Sequence, residues 1–348
     1  MTESFIPHLK SELGLTPDEK MALASLEPRL SHTYVVQRLR REAEYEAQAL
    51  RERTQLINRE HWLSNPALIR GGLRLLGLHE RARRNALAIE VRHHEVLLPH
   101  LPDAFDRFVL LQLADLHFGM NDQFLNTLIR CVEPLRYDLC VLTGDYRALT
   151  YGPYRIALDG LERLRAAINT PAYAILGNHD TIRMVPAMER MGYQLLLNEA
   201  TSVARGNETI YLAGVDDANF YRLANVGDAA RDIPAGAVSI LLSHTPETYR
   251  QAAHAGFDLM LCGHTHGGQI CLPGGIPIRT EATSPRRLVK GSWRYGGMIG
   301  YTSTGAGTCI VDARLNCPPE VTMHGLRRGS ASIRGGSSEG TVADLQPE

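Results

Sequence analysis

Several short apolar runs in this chain end at residues that can bind metal ions. Each run is followed at once by carboxylate, amide or imidazole side chains, namely Asp115 and His117, Asp145, Asn178 and His179, His244, and His264 and His266. Apolar runs of this length are typical of buried strands. In an α/β sheet, ligands bind in the loops at the carboxyl ends of the strands. The pattern therefore predicts a ligand site built from strand-end loops.

The order of these residues carries more information than any one of them. In chain order they read Asp-x-His, Gly-Asp, Gly-Asn-His-Asp, His and Gly-His-x-His. This series closely resembles the calcineurin-like metallophosphoesterase superfamily over residues 90–326. The segments 263–269 and 316–321 further resemble its membrane-associated bacterial phosphodiesterase branch, which includes enzymes acting on UDP-2,3-diacylglucosamine. Ala114 departs from the serine of many relatives, but it is not a metal ligand.

The resemblance implies two divalent metal ions that share the carboxylate of Asp145. Each ion would take further ligands, namely Asp115, His117 and His266 for the first and Asn178, His244 and His264 for the second. Oxygen and imidazole ligands without thiolate favour manganese, iron, zinc or cobalt over calcium. Two such ions neutralise a phosphate ester and lower the pKa of a bound water. The expected reaction is attack of a metal-bound hydroxide on a phosphodiester or pyrophosphate bond.

His179 is the expected catalytic histidine. In the family the corresponding residue faces the leaving group, as a general acid or as a stabiliser of the transition state. An imidazole suits that task because its pKa lies near neutral pH. We expect Asp180 to orient the His179 ring by fixing its tautomer. The alternative is that His179 only hydrogen-bonds to a metal ligand.

The segment 272–300 follows the histidine pair directly and is rich in glycine, proline and arginine. It lacks periodicity, and a loop of that length in a compact domain is usually functional. Arginine forks suit phosphate oxygens, so Arg286 and Arg287 are the predicted substrate-binding residues. Trp293 and Tyr295 are expected to pack on a base or an acyl chain of the substrate. A solvated loop without a binding role is the alternative.

Strands that alternate with helices predict a layered α/β architecture. The resemblance specifies it as a metallophosphoesterase β-sandwich flanked by helices. Residues 1–86 are predicted to form a helical N-terminal extension, in which Thr16 caps the first helix and a largely solvated helix covers 30–62. Residues 87–326 form the predicted catalytic domain, and the glycine- and serine-rich residues 327–348 a disordered tail.

Composition narrows the class of protein. The chain has 348 residues with 44% hydrophobic and 22% charged, which fits a globular protein. Its net charge of −1 argues against a nucleic-acid binder. The six cysteines are scattered, which predicts reduced thiols in a reducing compartment, and the lack of Cys-x-x-Cys spacing argues against a thiolate zinc site. Neither a signal peptide nor a spanning segment is expected, so the predicted location is the cytoplasm.

Leucines and arginines are grouped in residues 67–84. Such a segment can lie in the interface of an anionic membrane, here the inner face of the cytoplasmic membrane, and a lipid-linked or nucleotide-sugar substrate would fit that location. Simple packing on the domain is the alternative.

The leading function is metal-dependent phosphoester hydrolysis of a lipid-linked or nucleotide-sugar substrate. The alternatives are a non-catalytic member that binds phosphate ligands or partners, and a nuclease, which the near-neutral charge disfavours.

Overall fold

Two sheets form the body of the protein in the computed structural model, which describes residues 14–54, 66–280, 282–329 and 343–345. The first sheet contains β1 (Glu90–Leu98), β2 (Val109–Leu113), β3 (Leu139–Leu142), β4 (Ala172–Ala174), β5 (Tyr193–Leu195) and β14 (Glu320–Arg328). Their spatial order is β1-β14-β2-β3-β4-β5, and all neighbours are parallel except β14 and β2.

The second sheet contains β6 (Glu199–Arg205), β7 (Glu208–Gly214), β8 (Ser239–Leu242), β9 (Leu259–Cys262), β12 (Gly291–Tyr295), β13 (Met298–Thr302) and β15 (Ala343–Leu345). Their order is β15-β12-β13-β9-β8-β7-β6, with antiparallel pairs only at β12–β13 and β6–β7. A small separate hairpin joins β10 (Cys271–Leu272) to β11 (Ile276–Pro277).

The inner faces of the two sheets share one apolar core. Leu110 and Val141 of the first sheet belong to the same buried cluster as Ile240 and Leu261 of the second. The central strands β3, β8 and β9 are buried at every position, because helices cover the outer face of each sheet. Their continuous apolar runs in the sequence reflect this burial on both faces.

Nine α-helices flank the sheets within the described residues, namely α1 (Pro17–Ala24), α2 (His32–Thr54), α3 (Pro66–Leu75), α4 (His79–Ala86), α5 (Phe124–Val132), α6 (Arg155–Ala167), α7 (Val185–Arg190), α8 (Val226–Ala230) and α9 (Tyr249–His254). Buried residues of α2, α5, α6 and α7 pack with the outer face of the first sheet. Those of α8 and α9 pack with the second sheet. The layered sandwich flanked by helices, predicted from the sequence, is confirmed.

The N-terminal helices pack on the sandwich rather than standing apart from it. Thr16 caps α1 as predicted, since its hydroxyl accepts the N–H of Glu19 at 3.2 Å. Leu39 of α2 is buried in the core beneath the first sheet. Leu73 of α3 packs with Val311 and Leu315. The predicted continuation of the second helix beyond residue 54 lies outside the described residues.

Two predictions about the C-terminal half need correction. The segment 272–300 contains the end of β10, all of β11 and β12, and the start of β13, together with a short 3₁₀ turn, so it is not a structureless loop. Glycine and proline turns conceal these short strands in the sequence. In addition, β14 runs through Arg328, beyond the predicted domain boundary at 326, and residues 343–345 pair with β12. The other tail residues from 330 onward lie outside the described part of the chain.

Within those described ranges, no helix combines the length and the apolar character that crossing a membrane requires.

Candidate metal centre

The predicted ligand residues converge where strands of both sheets end. β2 and β3 of the first sheet lead into Asp115 and Asp145, and β8 and β9 of the second lead into His244 and His264. The sandwich therefore brings strand-end loops from two different sheets to one place, as expected from the carboxyl-end rule.

The distances define one compact cluster of donor atoms. Nε2 of His117 lies 3.0 Å from Nε2 of His266, and Nε2 of His244 lies 3.0 Å from Oδ1 of Asn178. Oδ2 of Asp145 lies 3.3 Å from Nε2 of His244 and 3.7 Å from Nε2 of His117. The structure thus brings the predicted metal ligands together, including Asp115, whose Oδ1 is 3.9 Å from Nε2 of His266.

Backbone carbonyls fix the tautomers of two histidines. Nδ1 of His117 donates to the carbonyl of Arg147 at 2.8 Å, and Nδ1 of His244 donates to the carbonyl of Thr143 at 2.8 Å. A neutral ring that donates through Nδ1 presents the lone pair of Nε2. Both Nε2 atoms face the cluster, which is the arrangement that metal-binding histidines use.

Asp145 occupies the centre of the cluster. It belongs to two groups of side chains, and the donor atoms of each group lie close enough together to hold a cation. The first group is Asp145 with His117 and His179, and the second is Asp145 with His244 and His264. Its Oδ1 accepts the backbone N–H of His179 at 2.8 Å, which fixes the orientation of the carboxylate. The other oxygen is left to face the histidines.

The ligand loops have unusual backbone conformations. The φ angles of Asp115, His117, Asp145, His264 and His266 are all between 42° and 71°, in the left-handed region. This region is unfavourable for residues with a side chain, and such strain concentrates at functional sites. Five candidate ligands therefore adopt conformations that their surroundings must impose.

Two glycines permit the close approach of the Asp145 loop to the Asn178 loop. A Cβ on Gly144 would lie 2.5 Å from the backbone N of Gly177, and one on Gly177 would lie 2.2 Å from Oδ1 of Asp145. Both distances are shorter than van der Waals contact. Gly144 also has a φ of 92°, so its lack of a side chain serves both the turn and the packing.

The donor set fits a bound cation. Nε2 of His264 is buried and has no hydrogen-bond partner among the described residues. Such an orphaned nitrogen is costly, and a metal ion would satisfy it. Burial, with a smaller contribution from Asp145, raises the pKa of Asp115 to about 7 despite the nearby His244. A cation would stabilise the ionised carboxylate there, so its binding would release protons below about that pH.

Asp145 responds differently to the same surroundings. Burial alone would raise its pKa, but His244, His179 and His117 together hold the pKa of Asp145 well below its usual range. The carboxylate at the centre of the cluster is therefore ionised at neutral pH, which is the form that binds cations.

The hydrogen bond predicted between Asp180 and the His179 ring is absent. The Asp180 carboxylate instead accepts backbone N–H groups from Asp145 at 2.7 Å, Tyr146 at 2.8 Å and Gly177 at 2.9 Å. These donors occupy both oxygens of the buried carboxylate. Nδ1 of His179 has no hydrogen-bond partner among the described residues. Asp180 therefore braces the loops that carry the candidate ligands and does not orient the His179 ring.

Cys309 and Arg314 belong to the site although sequence reasoning overlooked them. Sγ of Cys309 lies 3.8 Å from Nε2 of His179 and forms a possible cation-binding group with His117 and His266. Arg314 is fully buried; its Nη2 lies 3.2 Å from Nδ1 of His266 and donates to the carbonyl of Gly307 at 2.6 Å. Neither residue follows a strand in a recognisable motif, so no local signal marks them.

Of the residues predicted to contact the substrate, Arg286 and Arg287 lie at the surface and Trp293 is buried. Arg286 and Arg287 are exposed in the 3₁₀ turn Arg286–Leu288. The turn lies against the histidine pair, because the hydroxyl of Thr265 donates to the carbonyl of Val289 at 2.5 Å. Trp293 contradicts its prediction: it is fully buried in the core of the second sheet and donates to Oγ1 of Thr302 at 3.0 Å. It cannot pack on a substrate.

Comparisons with known proteins agree with this geometry. A family model described as calcineurin-like phosphoesterase matches residues 108–268. Phosphodiesterase YaeI of Escherichia coli is 29% identical over 249 residues, which cover 67% of this chain and 86% of that protein. Metallophosphoesterase YkuE of Bacillus subtilis is 30% identical over 252 residues, which cover 69% and 86%.

Among solved structures, the NAD nucleotidase NadN of Haemophilus influenzae is similar at 14% identity with a TM-score of 0.37, covering 57% of this chain and 51% of that chain.

The chain belongs to the calcineurin-like metallophosphoesterase family. It is a metal-dependent phosphoesterase, a hydrolase of phosphoric esters, and its clustered histidine and aspartate side chains are suited to bind metal.

Proposed function

We propose that this protein is a phosphodiesterase with two metal ions that share the carboxylate of Asp145. The observation that carries the proposal is the position of Asp145, whose Oδ2 lies 3.3 Å from Nε2 of His244 and 3.7 Å from Nε2 of His117, one proposed ligand of each ion. When bound, the ions would neutralise the phosphate charge, activate a water and hold the attacking and leaving oxygens in line. The oxygen and imidazole donors suit manganese, iron, zinc or cobalt.

Within this proposal, His179 serves the leaving group. Its Nε2 lies 3.9 Å from Oδ2 of Asp145, and its side chain is 12% exposed, so a substrate can reach it. A proton held at Nε2 would pass to the departing oxygen as the phosphoester bond breaks. The backbone bond from His179 to Asp145 keeps the ring close to the bridging carboxylate throughout.

We further propose that the substrate is a lipid-linked or nucleotide-sugar phosphodiester met at the cytoplasmic face of a membrane. The surface of α3 supports this, because Leu75 is 88% and Leu76 70% exposed. Arg70 and Arg74 are exposed on the same segment and suit anionic headgroups. The apolar cluster beneath α3 includes Ile270, so the helix packs on the segment that follows the histidine pair.

Hydrolysis of bis(p-nitrophenyl) phosphate with manganese tests the enzymatic part. Turnover should require the metal and stop with a chelator. A panel of phospholipids, UDP-2,3-diacylglucosamine, cyclic nucleotides, simple monoesters and nucleic acid then tests the substrate class. Absence of metal-dependent turnover across the whole panel would leave a non-catalytic binding protein, and preference for nucleic acid would make the chain a nuclease.

Co-sedimentation tests the membrane contact. Wild-type protein should pellet with vesicles of phosphatidylglycerol and phosphatidylcholine at low salt, and less so at high salt. Replacing Leu75 and Leu76 together by Ser should abolish pelleting without unfolding, since both side chains are exposed. Ile156→Ser, at a residue 63% exposed on α6, is the matched control and should pellet normally. Wild-type protein that stays in the supernatant at low salt would disprove the contact.

A further inference from the structure

Helix α2 lies outside the segment 108–268 matched by the family model, yet it contacts the loop that carries His179. We propose that Arg38 and Glu42 of α2 are positioning residues, which hold this loop in the geometry that catalysis requires. The inference rests on the proposed function, since it assigns these residues a part in that reaction.

Arg38 is the first of the two contacts. Its side chain is 0% exposed, which is rare for an arginine. Its Nη2 donates to the carbonyl of Asp180 at 3.2 Å, and its guanidinium carbon lies 3.6 Å from the centre of the Tyr221 ring. Nε lies 3.1 Å from Oδ2 of Asp216, an ionic contact between two fully buried groups. Arg38 therefore reaches the residue next to His179 but not the substrate.

Glu42 is the second contact, one helical turn further along α2. Its Oε1 accepts the backbone N–H of Ile182 at 2.8 Å, and its Oε2 accepts the hydroxyl of Thr181. Oε1 also lies 3.4 Å from Nη1 of Arg38, so the two side chains support each other. Together they contact the backbone of the loop at Asp180 and at Ile182.

The restraint extends from this loop to the metal ligands. The Asp180 carboxylate accepts the N–H of Asp145, and Oδ1 of Asp145 accepts the N–H of His179. A shift of Asp180 would therefore move both the bridging carboxylate and the catalytic histidine. Displacements of about 1 Å at a catalytic group can cost about a hundredfold in rate.

The chemical nature of the contact favours positioning over simple attachment of the helix. A buried ion pair is seldom more stabilising than apolar side chains of the same shape, because both charges lose their hydration. Val35 and Leu39 already anchor α2 in the apolar core. Arg38 and Glu42 add directional bonds to the backbone of one particular loop, which apolar contacts cannot supply.

The experiment compares Glu42→Gln and Thr181→Val with Leu39→Ala. Glu42→Gln removes the charge and leaves the Thr181 hydroxyl in place. Thr181→Val leaves α2 intact but removes two bonds, the one to Glu42 and the 3.3 Å bond from the N–H of Arg183 to the Thr181 hydroxyl. Leu39→Ala weakens the same helix through its apolar anchor without removing any polar contact to the loop. Measurements on each full-length variant are kcat and KM for aryl phosphodiesters with good and poor leaving groups, bound metal, Tm, and amide hydrogen exchange of residues 177–184.

Positioning predicts a kcat lower by about ten- to hundredfold in Glu42→Gln and a smaller loss in Thr181→Val, with KM and metal content close to wild type. The loss should be larger for poor leaving groups, and exchange at 177–184 should accelerate. Leu39→Ala should lower Tm and preserve kcat at temperatures where it is folded. If Glu42→Gln is unfolded, Thr181→Val and the exchange data decide.

The inference is overturned if Thr181→Val and any folded Glu42→Gln keep wild-type kcat and exchange, or if Leu39→Ala loses rate in the same leaving-group-dependent way. Its failure is distinct from failure of the proposed function. A wild-type protein without turnover refutes the proposed function alone, and the exchange rates at 177–184 then decide whether Glu42 orders the loop.

Discussion

Replacement of Asp145 by Asn tests the central carboxylate with little change of shape. Asn keeps an Oδ1 that can accept the N–H of His179, a bond of 2.8 Å in the structure. What changes is Oδ2, which becomes an uncharged amide nitrogen. The substitution therefore removes a negative charge from the metal cluster while the surrounding loops keep their main contact.

The size of the effect follows from the spacing of the cluster. Oδ2 of Asp145 lies 3.3 Å from Nε2 of His244, 3.7 Å from that of His117 and 3.9 Å from that of His179. At about 4 Å, with an effective dielectric of about 20, two unit charges interact by about 4 kcal/mol. The expected ions carry two charges and about 1.4 kcal/mol corresponds to tenfold, so affinity for a cation should fall by at least about three orders of magnitude.

Elemental analysis after gel filtration measures the metal, and manganese-dependent hydrolysis of bis(p-nitrophenyl) phosphate measures the activity. Asp145→Asn should lose most of both. Asp159→Asn makes the same chemical change at a half-exposed side chain on α6 and should retain both. An Asp145→Asn protein that holds two metal ions per chain at full activity would refute the bridging role.

Two further substitutions separate rate from binding. His179→Ala should retain metal but lose rate by about a hundredfold or more. The loss should be most severe with poor leaving groups, because the departing oxygen then lacks its proton. An equal loss across leaving groups would argue against general acid catalysis. Arg286→Ala combined with Arg287→Ala should raise KM for a large anionic substrate more than for a small synthetic diester. Michaelis constants that stay unchanged for both substrates would remove the turn from the binding site.

The family and the layout of the strand-end motifs could be predicted from the amino-acid sequence. Asp115, Asp145 and His264 can be recognised because each lies directly after an apolar strand in a short motif. Burial of β3, β8 and β9 on both faces produces those apolar runs, so the local pattern and the fold agree. The position of these residues at the ends of strands also follows from the sequence, because a residue that directly follows a strand must lie at the end of that strand.

The other residues at and around the site could be identified only from the folded structure. Cys309 and Arg314 reach the cluster, and Arg38 reaches the carbonyl of Asp180, through contacts between residues far apart in the chain. No local spacing encodes such contacts. The same limit explains the misassigned partners. Asp180 bonds to backbone N–H groups of a neighbouring loop, and Trp293 fills the core of the second sheet. A polar or aromatic side chain takes whichever partner the packed chain offers, and that choice depends on the packing of the whole domain.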